Sequence, residues 1–290
     1  MNPTVKAYLQ LVRLPNAFTA MADVTAGFLA CGGGLADARS LFGIGAASVF
    51  LYAGGIVLND VCDLAIDRRE RPQRPLPSGR IGWARARALA IGLLGIGVAT
   101  AALVSAMSAG IGALLAALIV AYDTWAKPHP VRGPLCMGSC RFANVILGGT
   151  AAAGTLPPWI PALLIGILVI AATVLSRDEV EGGKRHGVVG AAGLLVLITA
   201  LAAGWLGADG RDSSGWVFLA VFLAFTAPGL FRAWLAPSPA AVQHGIKHLV
   251  LGIIPLDAAV AAGAAGLLAG CLVLALLFPS WRIARWIYVT

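Results

Sequence analysis

Long apolar runs recur from one end of the sequence to the other, and short polar segments separate them. Runs of 18 or more apolar residues are typical of helices that cross a lipid bilayer. The pattern therefore predicts an all-α, polytopic membrane protein, with about nine transmembrane helices bundled around a central cavity open toward the cytoplasmic face. The predicted spans are about 17–36, 41–60, 87–107, 109–126, 138–156, 159–176, 187–207, 215–235 and 247–278, and we expect residues 1–290 to form one transmembrane domain. The last run is long enough to be tilted, or broken near Pro255.

Composition and charge agree with a membrane location. Hydrophobic residues make up 59% of the chain and charged residues 12%, against roughly 25% charged residues in a soluble domain. If the N-terminus is cytoplasmic, 17 of the 21 Lys and Arg residues fall in cytoplasmic segments and 4 in external ones. The positive-inside rule predicts that orientation, and we expect an integral protein of a bacterial inner membrane. Basic loops that face anionic lipid headgroups and an anionic substrate account for the net charge of +8, so nucleic acid is not an expected partner.

Asn59, Asp63 and Asp67 follow one another at intervals of four residues, where the second run ends. On an α-helix this spacing brings the side chains to one face, as a nearly straight stripe. Carboxylates near a membrane boundary are costly and usually functional, and such oxygen ligands bind hard divalent cations. The alternative is that the stripe is a solvated helix end that pairs with the arginines after it. We interpret it as a metal site, with Asp60 off the stripe, where it could orient a ligand or an arginine.

The loop after the stripe is rich in arginine, proline and glycine. Its arginines are Arg68, Arg69, Arg71, Arg74 and Arg80. Guanidinium groups bind phosphate oxygens in a bidentate manner, and the prolines prevent a continuous helix. The loop is therefore predicted to be a rigid, extended lid or a short amphipathic turn. A metal site beside such a loop is typical of a diphosphate-binding site.

A second acidic cluster, Asp178, Glu179 and Glu181, ends the sixth run. The second and sixth runs end on the same side of the membrane in the predicted topology. The two clusters could therefore face each other across the bundle and share a pair of magnesium ions. The alternative is an ordinary loop in which these acids mix with neighbouring basic residues.

Several other polar residues are candidates for binding the substrate. Tyr122 and Lys127 end the fourth run and could reach a diphosphate held between the acidic clusters, although a plain basic loop explains them equally well. Arg141 and Asn144 lie inside an apolar stretch, where polar side chains must face the protein interior or a cavity. Asn16, before the first run, could help to close the mouth of that cavity.

Asp257, in the last run after Pro255, needs a partner or water. It could be a carboxylate that faces a cavity, where it stabilises a cation or accepts a proton. It could equally cap a break in the helix.

These residues resemble the signature of the UbiA superfamily of intramembrane prenyltransferases, and the resemblance extends over nearly the whole chain. Asn59, Asp63 and Asp67 match the N-x-x-x-D-x-x-x-D motif of the superfamily, and an arginine-proline loop follows at 71–80. The segments 71–79 and 252–258 look most like the EboC-type branch of the superfamily.

The resemblance implies a magnesium-dependent enzyme that moves a prenyl group from a polyprenyl diphosphate donor to an acceptor, usually an aromatic ring. It implies nine helices with both aspartate-rich motifs on the cytoplasmic side. Asp63, Asp67 and Asp178 would be the catalytic carboxylates, and they would bind Mg²⁺ together with Asn59 and Glu181. The residues that would bind the substrate are Asn16, Arg74, Tyr122, Lys127, Arg141 and Asn144.

Two departures from the superfamily pattern leave other functions open. Gly182 stands four residues after Asp178, where the second motif commonly has an Asp, so Glu181 is the candidate replacement. Tyr122 and Lys127 are five residues apart, where four is common. The chain could instead be a catalytically weak prenyl-diphosphate-binding protein, or a lipid carrier or transporter with the same cavity. Transporters usually place charges near the bilayer midplane, whereas these acids lie at helix ends. The sequence identifies neither the prenyl chain length nor the acceptor.

Overall fold

The computed structural model of the chain describes residues 2–35, 37–152, 159–180, 185–236 and 238–287, and every regular element within them is helical. The helices are α1 (Pro3–Leu11), α2 (Leu14–Ala30), α3 (Ala38–Cys62), α4 (Leu64–Glu70), α5 (Trp83–Val104), α6 (Ala106–Ala121), α7 (Arg132–Gly149), α8 (Trp159–Val180), α9 (Arg185–Leu206), α10 (Ser214–Leu235), α11 (Pro239–Leu251), α12 (Ile253–Ala265), α13 (Leu267–Leu274) and α14 (Leu277–Ile287). A π-helical turn, Tyr122–Ala126, extends α6.

The lengths and apolar surfaces of these helices suit a bilayer. Within the described residues, seven helical segments are long and apolar enough to cross a membrane. Two more helices that pack within the bundle are α2, with 17 residues, and α7, with 18. Large apolar side chains cover the outside, and Leu103 and Phe42 are 87% and 78% exposed. A surface of this kind is favourable against lipid and not against water, so the predicted all-α polytopic membrane protein is confirmed.

The C-terminal part departs from the predicted spans. The chain reverses at Gly266, whose φ of +85° lies in the left-handed region that favours glycine, and α13 folds back against α12. The helix α14 then packs along α2 and reaches α1. The prediction of one span over 247–278 is therefore wrong, because this stretch contains a reversal. Arg282, one of the four Lys and Arg residues that the predicted spans place on the external side, lies on α14, which contacts α1.

Close helix packing fixes the position of α7 against α2. A Cβ atom added at Gly27 would lie 2.0 Å from the carbonyl oxygen of Val145, and one added at Gly148 would lie 2.1 Å from that of Val24. The two helices therefore touch backbone to backbone, which small residues permit in membrane proteins. This contact places the polar side chains of both helices one turn away from it.

One end of the bundle, here called the polar end, carries α1, α4 and the loop over 71–82. A small apolar core fastens the loop there, because Leu76 and Ile81 are buried in a cluster that also contains Leu11 and Val57. Arg80 donates hydrogen bonds to the side chain of Gln10 in α1 (3.0 Å) and to a backbone carbonyl within the loop. The loop is thus held over the end of α3.

Candidate active site

A cavity of about 600 Å³ extends from the polar end into the bundle between α2, α3, α6, α7, α8, α11 and α12. Its side walls are mainly apolar and include Leu115, Ile119, Met137, Val169 and Val250. Charged side chains surround it at the polar end, and a second group of polar side chains lies at its deep end. The cavity therefore joins a polar mouth to an apolar interior.

The predicted stripe contributes two of its three residues to the cavity. The amide of Asp63 donates to the carbonyl of Asn59 and that of Asp67 to the carbonyl of Asp63, both at 2.9 Å, so the i to i+4 register continues from α3 into α4. Asn59 and Asp63 line the cavity. Asp67 is only 4% exposed, does not line the cavity and accepts two hydrogen bonds from Nη1 of Arg74, at 2.7 and 3.0 Å.

The cavity-lining members of the stripe pair with residues at the end of α6. Asp63 forms an ion pair with Lys127, and Nδ2 of Asn59 donates to Oδ1 of Asp123 at 2.8 Å. Tyr122 and Asp123 also line the cavity. These contacts bring the second and fourth predicted runs together at the mouth.

The π-helical turn explains the unusual spacing of Tyr122 and Lys127. The amide of Lys127 donates to the carbonyl of Tyr122 at 2.9 Å, which is an i to i+5 bond. A π turn accommodates one extra residue within a helix and often lies at a functional site. Five residues in a π turn thus bring Tyr122 and Lys127 to the same cavity, as four residues would in an α-helix.

Asp60 lies behind the stripe and holds two arginines at the mouth. It is buried, accepts a hydrogen bond from Nη2 of Arg13 at 2.8 Å and lies 3.6 Å from Nη1 of Arg74. Arg13 has a φ of +45°, the one non-glycine residue with a positive φ in the described chain. A left-handed conformation is unfavourable for such a residue and is often found at functional sites. Here it lets the chain turn between α1 and α2 where the guanidinium group meets Asp60.

The second acidic cluster begins at the C-terminal end of α8. The backbone of Asp178 is in the last turn of α8, while Glu181 lies outside the described residues. Arg177, just before Asp178, donates to the carbonyls of Lys127 (3.2 Å), Pro128 (2.9 Å) and His129 (3.1 Å). These bonds fasten the end of α8 beside the loop that follows Lys127.

The deep end of the cavity contains predicted and unpredicted residues. Arg141 and Asn144 line the cavity, as do Ser48 and Tyr52, which sequence reasoning did not select. Asp23, equally unselected, is fully buried and accepts hydrogen bonds from both Arg141 and Asn144. A carboxylate within an apolar run was the available signal for Asp23.

The residues at the mouth are suited to a divalent cation in their chemistry. Among the described residues, no three His, Cys, Asp or Glu side chains already converge on one point. Asn59, Asp63 and Asp123 nevertheless present amide and carboxylate oxygens at the cavity, and Mg²⁺ prefers such ligands. Each of the three already binds another protein side chain. A cation would therefore have to compete with these side chains for the oxygens.

The charges of the described side chains at the mouth are balanced. Among them, the basic residues are Arg13, Arg71, Arg74 and Lys127, and the acids that line the mouth or bind these bases are Asp60, Asp63, Asp67 and Asp123. A diphosphate accompanied by a divalent cation would change the net charge little. The site can therefore exchange internal ion pairs for bonds to such a ligand.

Comparison with protein families identifies the chain. The model of the UbiA prenyltransferase family matches residues 20–239. The chain belongs to this family. The matched segment contains the N-x-x-x-D-x-x-x-D motif, the π-helical turn and the described part of α8.

Archaeal relatives share about a third of the aligned residues. A digeranylgeranylglyceryl phosphate synthase of Saccharolobus solfataricus is 30% identical over 179 residues, which are 62% of this chain and 63% of that protein. A protein of the same name from Methanopyrus kandleri is 33% identical over 189 residues, 63% of this chain and 68% of that one. The matches to the curated relatives thus span about two thirds of their length or less.

Solved structures show the same fold. A structure concerned with digeranylgeranylglyceryl phosphate synthase in membranes superposes with a TM-score of 0.70 at 21% identity and covers 91% of this chain and 99% of that one. A UbiA homolog from Archaeoglobus fulgidus bound to GPP and Mg²⁺ superposes with a TM-score of 0.63 at 17% identity, with 88% and 99% covered. An apo UbiA homolog from Aeropyrum pernix K1 gives 0.70 at 20% identity, with 84% and 96% covered.

Proposed function

We propose that this protein is a magnesium-dependent intramembrane prenyltransferase, which moves a prenyl group from an isoprenyl diphosphate to a small nucleophilic acceptor. The observation that carries the proposal is the cavity itself, because it joins an apolar interior to a mouth that holds balanced acidic and basic side chains. An isoprenyl diphosphate has the same division into an apolar tail and an anionic head. The archaeal relatives, named as synthases of a lipid phosphate, and the A. fulgidus homolog bound to GPP and Mg²⁺ support the same class of donor.

The diphosphate group is assigned to the mouth. Arg71, Arg74 and Lys127 would bind its outer oxygens, since Lys and Arg at the cavity are charge-assisted donors to phosphate. Asn59 and Asp63 would hold Mg²⁺, and Asp178 on the fastened end of α8 is the candidate ligand from the second motif. Bound Mg²⁺ would neutralise charge on the diphosphate and make it a better leaving group.

Two internal ion pairs would open when the donor binds. Lys127 would exchange the carboxylate of Asp63 for a phosphate oxygen, and Arg74 would shift in part from Asp67. Asp60 would keep Arg13 at the mouth during this exchange, because their hydrogen bond is buried behind the stripe. The pairs thus hold the basic groups in position before the ligand arrives.

The transfer step breaks the bond between the first prenyl carbon and the diphosphate oxygen and forms a bond from that carbon to the acceptor. The acceptor loses a proton, which the released diphosphate can accept. Basic side chains stabilise the charge that develops on the leaving group. The apolar walls and the fastened loop over 71–82 would limit the access of water, which would otherwise capture the reacting carbon.

Transfer of an isotopic label tests the proposal. Membranes that contain the protein are incubated with labelled geranyl diphosphate and a lipid extract as the source of acceptor, and the organic phase is analysed by mass spectrometry. We expect a labelled product that lacks diphosphate, and its formation should require Mg²⁺ and stop on chelation.

Asp63→Asn should abolish formation of this product, whereas Asp209→Asn, an exposed acid between α9 and α10, should leave it unchanged. Formation of the same product at the same rate by Asp63→Asn would refute the assignment of the mouth. Donor binding without a product at any acceptor would favour a binding protein or carrier instead.

A further inference from the structure

The deep end of the cavity is lined by a set of polar side chains, here called the polar floor: Ser48, Tyr52, Arg141 and Asn144. Tyr52 and Ser48 precede Asn59 on α3 by seven and eleven residues. At 1.5 Å per residue, the floor lies about 10 to 16 Å from the mouth along the helix axis. A polar surface so deep in an apolar bundle is costly unless its groups are satisfied.

The amide and hydroxyl groups of the floor are satisfied within the protein. Nδ2 of Asn144 donates to the carbonyl of Ala20 (3.0 Å) and to Oδ2 of Asp23 (2.9 Å). The hydroxyl of Ser48 lies 2.8 Å from Oδ1 of Asn144 and 3.0 Å from the carbonyl of Ala20. These groups tie α2, α3 and α7 together and have little capacity left for a ligand.

Arg141 is fixed on three sides. Its Nη1 donates to Oδ2 of Asp23 (2.8 Å), its Nη2 donates to the hydroxyl of Thr19 (2.9 Å), and its guanidinium carbon lies 5.3 Å from the centre of the Tyr52 ring. Asn16, which was predicted to help to close the mouth, also lines the cavity. The cation and the ring therefore form one rigid surface across the cavity.

A proton shared by two buried carboxyl groups would keep the floor neutral. Asp23 on α2 and Asp257 on α12 are both fully buried, and the two helices pack against each other. Neither oxygen of Asp257 nor Oδ1 of Asp23 meets a protein donor among the described residues. Two ionised carboxylates with one guanidinium would leave a net negative charge in the bundle, and adjacent carboxylates avoid this by sharing a proton. With one shared proton, the group of Asp23, Asp257 and Arg141 would be neutral.

Beyond the floor, the described residues of α2, α3 and α7 are closely packed. Gly27 lies four residues after Asp23 on α2, and Gly148 lies four residues after Asn144 on α7. At these two glycines α2 and α7 touch backbone to backbone. Val24, Ile44 and Leu147 are fully buried in the same region. The side chains of the floor cannot move farther from the mouth without separating α2 from α7.

We propose that the polar floor sets the length of the prenyl tail. An isoprenyl unit adds four carbon–carbon bonds of about 1.5 Å to the extended chain, or about 5 Å along its axis. The depth of about 10 to 16 Å given by the helix rise therefore holds about two to three units, a geranyl or farnesyl tail. A fourth unit would have to press against Arg141 and Tyr52. This inference rests on the proposed function, since it takes the mouth as the site of the diphosphate.

Binding of a graded donor series tests the floor. Dimethylallyl, geranyl, farnesyl and geranylgeranyl thiodiphosphates are titrated with Mg²⁺ into the protein in detergent, and Kd is measured for each. We expect the affinity to peak at geranyl or farnesyl, and geranylgeranyl to bind at least about tenfold more weakly than the best donor, a difference of 1.4 kcal/mol.

Two variants should shift the affinity maximum toward longer prenyl tails. Tyr52→Ala removes a ring of the floor without altering charge, and Arg141→Ala combined with Asp23→Asn removes both members of an ion pair together. In either folded variant, the ratio of geranylgeranyl to farnesyl affinity should rise about tenfold. Ile119→Ala is the matched control, because it widens a side wall and should weaken all donors alike.

The outcomes separate the two proposals. The proposal that the floor limits tail length would be overturned alone by either of two results. One is tight binding of geranylgeranyl thiodiphosphate to the wild-type protein, and the other is a ratio of geranylgeranyl to farnesyl affinity that neither variant changes. In both cases the tail would leave the bundle between helices. No magnesium-dependent binding at any length overturns the proposed function, and the floor proposal with it.

Discussion

Replacement of the two buried carboxylates should have unequal effects on stability. In Asp257→Asn a neutral amide of the same shape replaces the carboxyl group that would hold the shared proton, and this amide could donate to Oδ1 of Asp23, which has no donor among the described residues. We expect its free energy of unfolding to stay within about 1 kcal/mol of the wild-type value, the size of a typical neutral hydrogen bond.

Asp23→Asn removes the charge that faces Arg141 at 2.8 Å. Hydrogen bonds to charged groups contribute about 1.5–3 kcal/mol, so a loss of that size is expected, and Asp257 can ionise to limit it. The double variant leaves Arg141 buried with neither carboxylate. Removal of one side of a buried ion pair costs about 3–5 kcal/mol, and we expect a loss in that range.

Denaturation in detergent, followed by circular dichroism, measures the three differences, with Asp209→Asn as the exposed control. The expected order of destabilisation is Asp257→Asn, then Asp23→Asn, then the double variant. Equal destabilisation by Asp257→Asn and Asp23→Asn would refute the shared proton. A double variant no less stable than Asp23→Asn would show that Asp257 provides no second charge for Arg141.

Three further changes test the packing and the mouth. Gly148→Ala should destabilise the protein by about 1–3 kcal/mol through overpacking. Gly190→Ala, where a Cβ meets open space, should be neutral or stabilising in the same denaturation experiment. Equal effects of the two changes would contradict the contact between α2 and α7. Deletion of the exposed Thr124 should convert the π turn to an α turn and preserve magnesium-dependent donor binding, and loss of binding in a folded variant would show that the π turn itself is required. Lys127→Ala should weaken donor binding by at least about tenfold, from the loss of a charge-assisted hydrogen bond, while the exposed Lys247→Ala should leave Kd unchanged; an unchanged Kd for both would remove Lys127 from the site.

The sequence predicted which residues lie at the mouth more reliably than it predicted how they are arranged there. The spacing of Asn59 and Asp63 predicts a common face, and both line the cavity. Asp67 keeps this spacing, because the i to i+4 hydrogen bonds continue from α3 into α4, but its side chain does not line the cavity. The carboxylate of Asp67 is then buried against Arg74, a contact that depends on the path of the following loop.

Features that depend on local backbone geometry were not predictable from periodicity. The spacing of Tyr122 and Lys127 appeared as a departure, because an α-helical period cannot reveal a π turn. The reversal at Gly266 was hidden for a similar reason, since the apolar run continues through it without a polar residue. A single glycine within an apolar stretch is a weak signal, and in this chain glycines are abundant.

The surroundings of the polar floor show which signals the sequence offered. Asp23 and Asp257 both lie within apolar runs, where an ionisable residue by itself indicates a partner in the bundle; this signal selected Asp257, and it was equally available for Asp23. The pairing required that α2 and α12 pack side by side, and this is a tertiary contact without a counterpart in sequence spacing. Ser48 and Tyr52 carry no such signal, because hydroxyl groups are common in membrane helices.

Magnesium-dependent binding of a non-hydrolysable donor is the most direct test of the central claim. The protein in detergent is titrated with geranyl thiodiphosphate, with and without Mg²⁺, and its thermal unfolding is followed. At a ligand concentration of 100 times Kd, binding to the folded state alone should add about 2.7 kcal/mol of stability. We expect this gain with Mg²⁺ present, its loss on chelation, and its absence in Asp63→Asn. An equal gain without Mg²⁺, or an undiminished gain in Asp63→Asn, would contradict the assignment of the mouth as a magnesium-diphosphate site.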